Sequence, residues 1–288
     1  VDLYKNYLIP ITKDIEVDYL LQRLNSSLDV AYLGPIGTFT HEAASKYFSN
    51  YKEVAFIPCE SIPKVIESVL SNKVIYGVIP YSNSFAGLVP ATNELMYQTS
   101  AHIIGEITRP ISLCLASKSK LNFSEIKKIY SHPVALAQSK NWINENIGGD
   151  VSIIPTSSTA EGAKLVSELN GDNCAALASL QAIEMYGLNV IHHHAQDTPK
   201  SFTRFMIIGK QYGKSPSGND KTLIRFTLVN TAGALSSALA TFASHSINLY
   251  HIESKMMTSK DPLNTTAQFL VELSGHISDE SLKNAIEK

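Results

Sequence analysis

Four short stretches of this chain place hydroxyl, amide and guanidinium side chains where one backbone pattern gives way to another. The first is Gly34-Pro35-Ile36-Gly37-Thr38-Phe39-Thr40, between a buried apolar run at residues 30–33 and a helical pattern at residues 41–48. Its glycines allow a ligand close to the backbone, Thr38 or Thr40 can cap the helix, and the free N–H groups of a helix start favour an anion. No Gly-Lys-Ser/Thr follows, so it is not a nucleotide phosphate loop; it reads as a plain turn or as a carboxylate site. The second, Pro80-Tyr81-Ser82-Asn83-Ser84-Phe85-Ala86-Gly87, follows a strand. That is where α/β sheets bind ligands, and an ordinary Asx or Ser turn is the alternative. The third is Ser131-His132-Pro133 with Gln138 further on, where Ser131 is either a ligand or the N-cap of a helix that carries Pro in its first turn. The fourth is Thr203-Arg204-Phe205 at a loop–strand junction. A guanidinium there grips a carboxylate in two-pronged fashion, and a threonine offers a neutral donor; alone, the triplet reads as a strand start. His192-His193-His194 does not assemble a metal site, because neighbours on a strand point to opposite faces and no pair of carboxylates or cysteines completes the set.

The elements expected to hold these stretches alternate in type. Strands are expected at residues 30–33, 54–57, 74–79, 103–107, 111–115, 128–130, 151–154, 174–177, 190–192 and 205–208. Helices are expected at 15–24, 41–48, 62–70, 88–97, 134–146, 158–169 and 180–186. Such alternation implies βαβ units and a mostly parallel sheet. Residues 210–221 (KQYGKSPSGNDK) are almost devoid of apolar side chains and read as a linker. Beyond it the order is β-α-β-β-α, with strands at 223–229, 247–255 and 266–273 and helices at 234–244 and 278–287. That is a ferredoxin-like arrangement lacking its last strand.

Composition narrows the function classes. With 24 basic and 26 acidic residues among 288, the net charge is −2, which is not the footprint of a nucleic-acid binder. A hydrophobic share of 44% supports a folded core, and no apolar run is long enough to span a bilayer. Cys59, Cys114 and Cys174 are far apart, form no CxxC pair and fit a reducing, cytoplasmic setting. No signal peptide is visible at Val1-Asp2-Leu3-Tyr4-Lys5.

Together and in this order, the four stretches resemble the prephenate dehydratase family. The matching segments are residues 31–44 (AYLGPIGTFTHEAA), 77–87 (GVIPYSNSFAG), 131–138 (SHPVALAQ) and 203–205 (TRF). The tail resembles that family's phenylalanine-binding ACT domain at Gly233-Ala234-Leu235 and at 247–255 (INLYHIESK). The resemblance covers residues 29–285. It implies a two-subdomain, periplasmic-binding-protein-like α/β catalytic domain at 29–209, with an extension at 1–28, the linker at 210–221 and an ACT domain at 222–288. It also implies a homodimer or homotetramer. Departures are Ser82 where the family carries Glu, Ser201 where it carries Asn, and Lys255-Met256 where it carries Arg-Pro. The 29 residues ahead of Val30 are too few for a chorismate mutase domain.

The implied reaction converts prephenate to phenylpyruvate in phenylalanine biosynthesis. Aromatisation drives it, so no cofactor and no metal is called for. The resemblance places Thr203 as hydrogen-bond donor to the departing hydroxyl, with Asn83 and Gln138 as catalytic amides. Arg204, Ser84, Ser131, Thr38 and Phe205 would bind substrate, Arg204 through a carboxylate. L-Phenylalanine is the implied effector, held at a subunit interface by Gly233, Ala234, Leu235, Asn248, Leu249, Glu253 and Ser254. Rival readings are a non-aromatising prephenate decarboxylase, an arogenate dehydratase and, from another class, a non-catalytic amino-acid sensor.

Overall fold

A computed structural model describes residues 28–169, 173–211, 215–257 and 265–287. The helix expected at 15–24 lies outside the described residues. The chain divides into two compact units, one of residues up to 93 with 100–212, the other of 94–99 with 213–288. No helix among the described residues is long and apolar enough to cross a membrane.

The first unit contains two sheets. The first begins with β1 (Leu28–Leu33), α1 (Phe39–Tyr47), β2 (Val54–Cys59), α2 (Ile62–Leu70) and β3 (Tyr76–Asn83). β1 pairs in parallel with both β2 and β3. α1 covers one face, where Ala43, Ala44 and Phe48 pack on Val30, Tyr32 and Val78. α2 covers the other with buried Ile62, Val65, Ile66 and Val69, the spacing of a helical stripe. Gly77 lets it come close, since a Cβ there would lie 2.8 Å from Val65 and 2.9 Å from Ile208. The short β4 (Gly87–Leu88), α3 (Pro90–Met96) and β5 (His102–Pro110) follow.

The second sheet is made by β6 (Cys114–Ser117), β7 (Lys128–Ser131), α4 (Pro133–Gln138), α5 (Lys140–Asn146), β8 (Ser152–Pro155), α6 (Thr159–Glu168), β9 (Cys174–Ala178), α7 (Leu180–Met185) and β10 (Asn189–His192), in the strand order β10-β6-β9-β7-β8. The chain then returns as β11 (Phe202–Gly209), which inserts antiparallel between β3 and β5. This return, and the antiparallel pairing of β6 with β9 and β10, make both sheets mixed where a mostly parallel sheet was expected. Strand direction is set by neighbours distant in sequence, which apolar alternation does not report.

Two further expectations change. The helix over 134–146 breaks at Ser139, because the carboxylate of the distant Asp197 accepts from the N–H groups of Asn141 and Trp142 and starts α5 anew. The strand expected at 111–115 begins only at Cys114, since residues 111–113 cross between the lobes. They bond there to Ser201, Gln196 and Ala195 in the returning crossing.

Gly162 on α6 lies directly against β7, and a Cβ would sit 2.9 Å from the Tyr130 carbonyl oxygen and 3.3 Å from the Ser131 Cα. Backbone atoms cannot yield as a side-chain tip does. Gly162→Ala is therefore expected to cost about 1–3 kcal/mol as overpacking, read as a lower midpoint of denaturant unfolding. An unchanged midpoint would show that α6 shifts freely.

The second unit has β12 (Lys221–Val229), α8 (Ala234–Ser244), β13 (Leu249–Met257), β14 (Thr266–Ser274) and α9 (Glu280–Ile286), in the expected β-α-β-β-α order. The strand order is β12-β14-β13, with both neighbours antiparallel to β14. Phe242, Ile247, Phe269, Val271, Leu273 and Leu282 form its core.

Candidate active site

The β3–β11 register sets Thr203 opposite Asn83. The Asn83 amide donates to Thr203 Oγ1 at 2.9 Å. Its orientation is dictated by the turn that follows, because Asn83 Oδ1 accepts from the N–H groups of Phe85 (2.9 Å) and Ala86 (3.0 Å). With the oxygen fixed there, the NH₂ group faces Thr203. Gln138 Nε2, at the end of α4 in the second lobe, donates to the same Asn83 oxygen at 3.2 Å. Ser201 Oγ donates to Gln138 Oε1 at 3.1 Å, which fixes that amide in turn. Gln138, Ser201 and Thr203 are all buried. The chain Ser201–Gln138–Asn83–Thr203 thus runs in one sense across both lobes. It ends on a threonine oxygen that accepts from Asn83 and keeps its own proton to donate.

The other expected substrate contacts are engaged elsewhere. Ser131 is fully buried and donates to the Leu177 carbonyl at 2.5 Å, tying β7 to β9, while the N-cap of α4 is His132. Thr38 caps α1 by accepting from the His41 N–H at 3.2 Å and donates to the Leu33 carbonyl at 3.1 Å, so its hydroxyl is engaged within the turn itself. Ser84 is exposed and clamps the start of β11, accepting from the Phe202 N–H at 3.0 Å. Phe205 belongs to the core beneath α1. Thr203 and Arg204 lie inside β11, not ahead of it, and alternation sends them to opposite faces. Arg204 pairs with Glu106 at 2.5 Å and lies 5.4 Å over the Tyr81 ring, away from Asn83 and Thr203.

Two charged groups escaped the sequence reading. Arg109 on β5 is the register partner of Thr203, and Glu42 lies on α1. Burial pushes the Glu42 carboxyl up, against the opposing pull of the Ser179 hydroxyl and the Arg109 charge. Alternation within β5 marks the face of Arg109, but only the later insertion of β11 beside it shows what that face looks onto. The three histidines diverge: His192 stacks on Trp142, His193 meets Cys114, and His194 meets Ser112. No group of metal-binding side chains is found among the described residues.

Burial also lowers the pKa of His41 and His132 below the usual 6.5. Each ring accepts a backbone N–H through Nδ1, from Gly37 and Val134. Below pH 6.5 the unfolded chain binds protons that the folded chain refuses, so stability falls as pH drops from there towards the lowered folded values. His132→Asn keeps a capping acceptor and removes one titration. Denaturation midpoints of this variant should fall less between pH 7 and pH 5.5 than those of the parent; an equal fall would acquit His132.

In the second unit Gly233 adopts φ 86° just ahead of α8, and Leu235 packs on the core. Gly233, Ala234 and Leu235 follow the end of β12, whereas Asn248 and Leu249 lie at the start of β13, level with the opposite end of the sheet. Ser254 pairs with Phe269 on the helix-covered face. Glu253 leaves the other face and meets His251 at 3.4 Å.

Comparison with known proteins identifies the catalytic unit. The family model described as prephenate dehydratase matches residues 30–212. The bifunctional chorismate mutase/prephenate dehydratase of Aquifex aeolicus is 37% identical over 265 residues, 92% of this chain and 70% of that protein. The solved prephenate dehydratase of Arthrobacter aurescens in complex with L-Phe is 30% identical with a TM-score of 0.80, covering 90% of this chain and 84% of that one. The structure of GqqA, described as a novel type of quorum quenching acylase, is 26% identical with a TM-score of 0.77, covering 90% and 91%. An interlobe amide chain ending on an oriented threonine, within a chain so widely matched, leaves one assignment: this is an enzyme of the prephenate dehydratase family.

Proposed function

We propose that the chain converts prephenate to phenylpyruvate, with Thr203 as the donor to the departing hydroxyl. The observation that carries this is the Asn83–Thr203 hydrogen bond, which occupies a threonine lone pair and leaves its O–H to donate. In the reaction the bond from the ring to its carboxylate breaks and CO₂ leaves. The electron pair enters the ring, and the C–O bond opposite breaks as the ring becomes aromatic. The leaving oxygen takes up one proton and departs as water, so the dianion plus a proton gives the monoanion, CO₂ and water. A threonine hydroxyl is too weak an acid to supply that proton outright. Its contribution is a fixed dipole at the oxygen where charge develops. Ser201, Gln138 and Asn83 carry neither a basic nitrogen nor a carboxylate able to activate Thr203 as a nucleophile, which favours this reading over acyl transfer. Incubation with prephenate and identification of the product is the test. Phenylpyruvate with CO₂ supports the proposal, a product that keeps the dihydro ring makes the chain a decarboxylase, and prephenate and arogenate both left unchanged favour the sensor. Arogenate in parallel fixes the preferred substrate.

The second unit fits an ACT-type domain, and the ligand proposed for it is L-phenylalanine, with which the Arthrobacter aurescens relative was solved in complex. Because Gly233 and Asn248 lie at opposite ends of one sheet, a site using both needs a second copy of the chain. This supports a ligand at an interface of a homo-oligomer. Turnover with and without L-phenylalanine, beside calorimetric binding, tests it; binding without inhibition would leave the domain as an assembly module.

A further inference from the structure

Arg109 and Thr203 are register partners on β5 and β11, so their side chains leave the same face of the sheet. Arg204 leaves the opposite face and is held by Glu106. Among the described residues, the buried Nε of Arg109 has no hydrogen-bond partner, and neither has the buried Oε1 of Glu42. Unmet polar groups of this kind cost about 1–3 kcal/mol each, more when charged, so they are retained where something else satisfies them. The Glu42 carboxyl, pushed up by burial, is pulled the other way by the Ser179 hydroxyl of the second lobe and by the Arg109 charge. A cation with unused hydrogen-bonding capacity therefore stands beside the threonine, and a carboxyl with an unmet oxygen, on the helix that covers this face, feels its charge.

We propose that Arg109 is the residue that binds a carboxylate of the substrate, and that Glu42 balances its charge while the site is empty. The inference rests on the prephenate reading, in which the substrate is a dianion and the site needs a cation. None of Ser201, Gln138, Asn83 and Thr203 provides one. A guanidinium offers two parallel N–H groups to a carboxylate, an interaction made in ground and transition states alike. Removing it should weaken binding more than it slows the chemistry.

The test combines calorimetric binding of prephenate with steady-state turnover for the parent chain, Arg109→Leu, Arg109→Lys, Glu42→Gln and Arg204→Lys. Arg109→Leu is expected to raise Kd and KM about 10–100-fold, the range for a hydrogen bond to a charged group, with a much smaller change in kcat. Arg109→Lys should recover part of the loss. Glu42→Gln should tighten binding by releasing Arg109 from its internal counter-charge. If Arg109→Leu fails to fold, Glu42→Gln and Arg109→Lys still decide. Weaker binding in Glu42→Gln, parent-like Kd in an Arg109 variant, or a larger binding loss in Arg204→Lys than in Arg109→Lys would overturn the assignment. Turnover that ignores Arg109 overturns the assignment alone. Parent-chain binding without phenylpyruvate overturns the proposed reaction while the Arg109 variants still report on the carboxylate, and a parent chain that binds no prephenate overturns both.

Discussion

Thr203→Val is expected to lower kcat for phenylpyruvate formation by about 10²–10³, the effect of deleting one donor at a site of developing negative charge. Valine fills the volume of the threonine side chain, so packing against the buried strand β11 is kept and only the hydroxyl goes. Thr203→Ser restores the hydroxyl and should recover most of the rate. The KM of Thr203→Val should move little, because the leaving oxygen carries little extra charge until the bond begins to break. Rapid-quench or steady-state assays of phenylpyruvate distinguish the cases. A kcat within a few-fold of the parent would remove Thr203 from the reaction.

Asn83→Asp is expected to be as severe although it replaces one atom. The retained oxygen still accepts from the N–H groups of Phe85 and Ala86, so the turn survives. The second oxygen now faces Thr203 where the NH₂ group stood. A carboxylate there accepts only, so the threonine must turn its proton back into the protein and lose it as a donor to substrate. A negative charge also enters a site meant for a dianion. kcat should fall by about 10² or more, and KM should rise as well, unlike in Thr203→Val. Near-parent denaturation midpoints would show that the loss is chemical.

Much of this was legible in the sequence. Apolar spacing located most strands and helices, and the resemblance brought forward Asn83, Gln138 and Thr203, which the structure joins by hydrogen bonds. What escaped was whatever depends on distant neighbours. Adjacency in sequence put Arg204 beside Thr203, whereas pleating put Arg109 there instead, and only the insertion of β11 between β3 and β5 decides this. Ser131 and Thr38 carry suitable hydroxyls, but backbone carbonyls at Leu177 and Leu33 take their protons first. Ser201 stood out only as a departure from the family's Asn, with no hint that its hydroxyl orients Gln138.

The most direct measurement is kcat for phenylpyruvate formation from prephenate across the parent, Thr203→Val, Asn83→Asp and the double variant. If Asn83 acts by aiming the Thr203 hydroxyl, its loss is already contained in the loss of that hydroxyl. The double variant should then be slower than Thr203→Val by no more than a few-fold. Losses that multiply, so that the double variant shows the product of the two single effects, would mean that Asn83 and Thr203 act independently and that the hydrogen bond between them is not what prepares the threonine for the reaction.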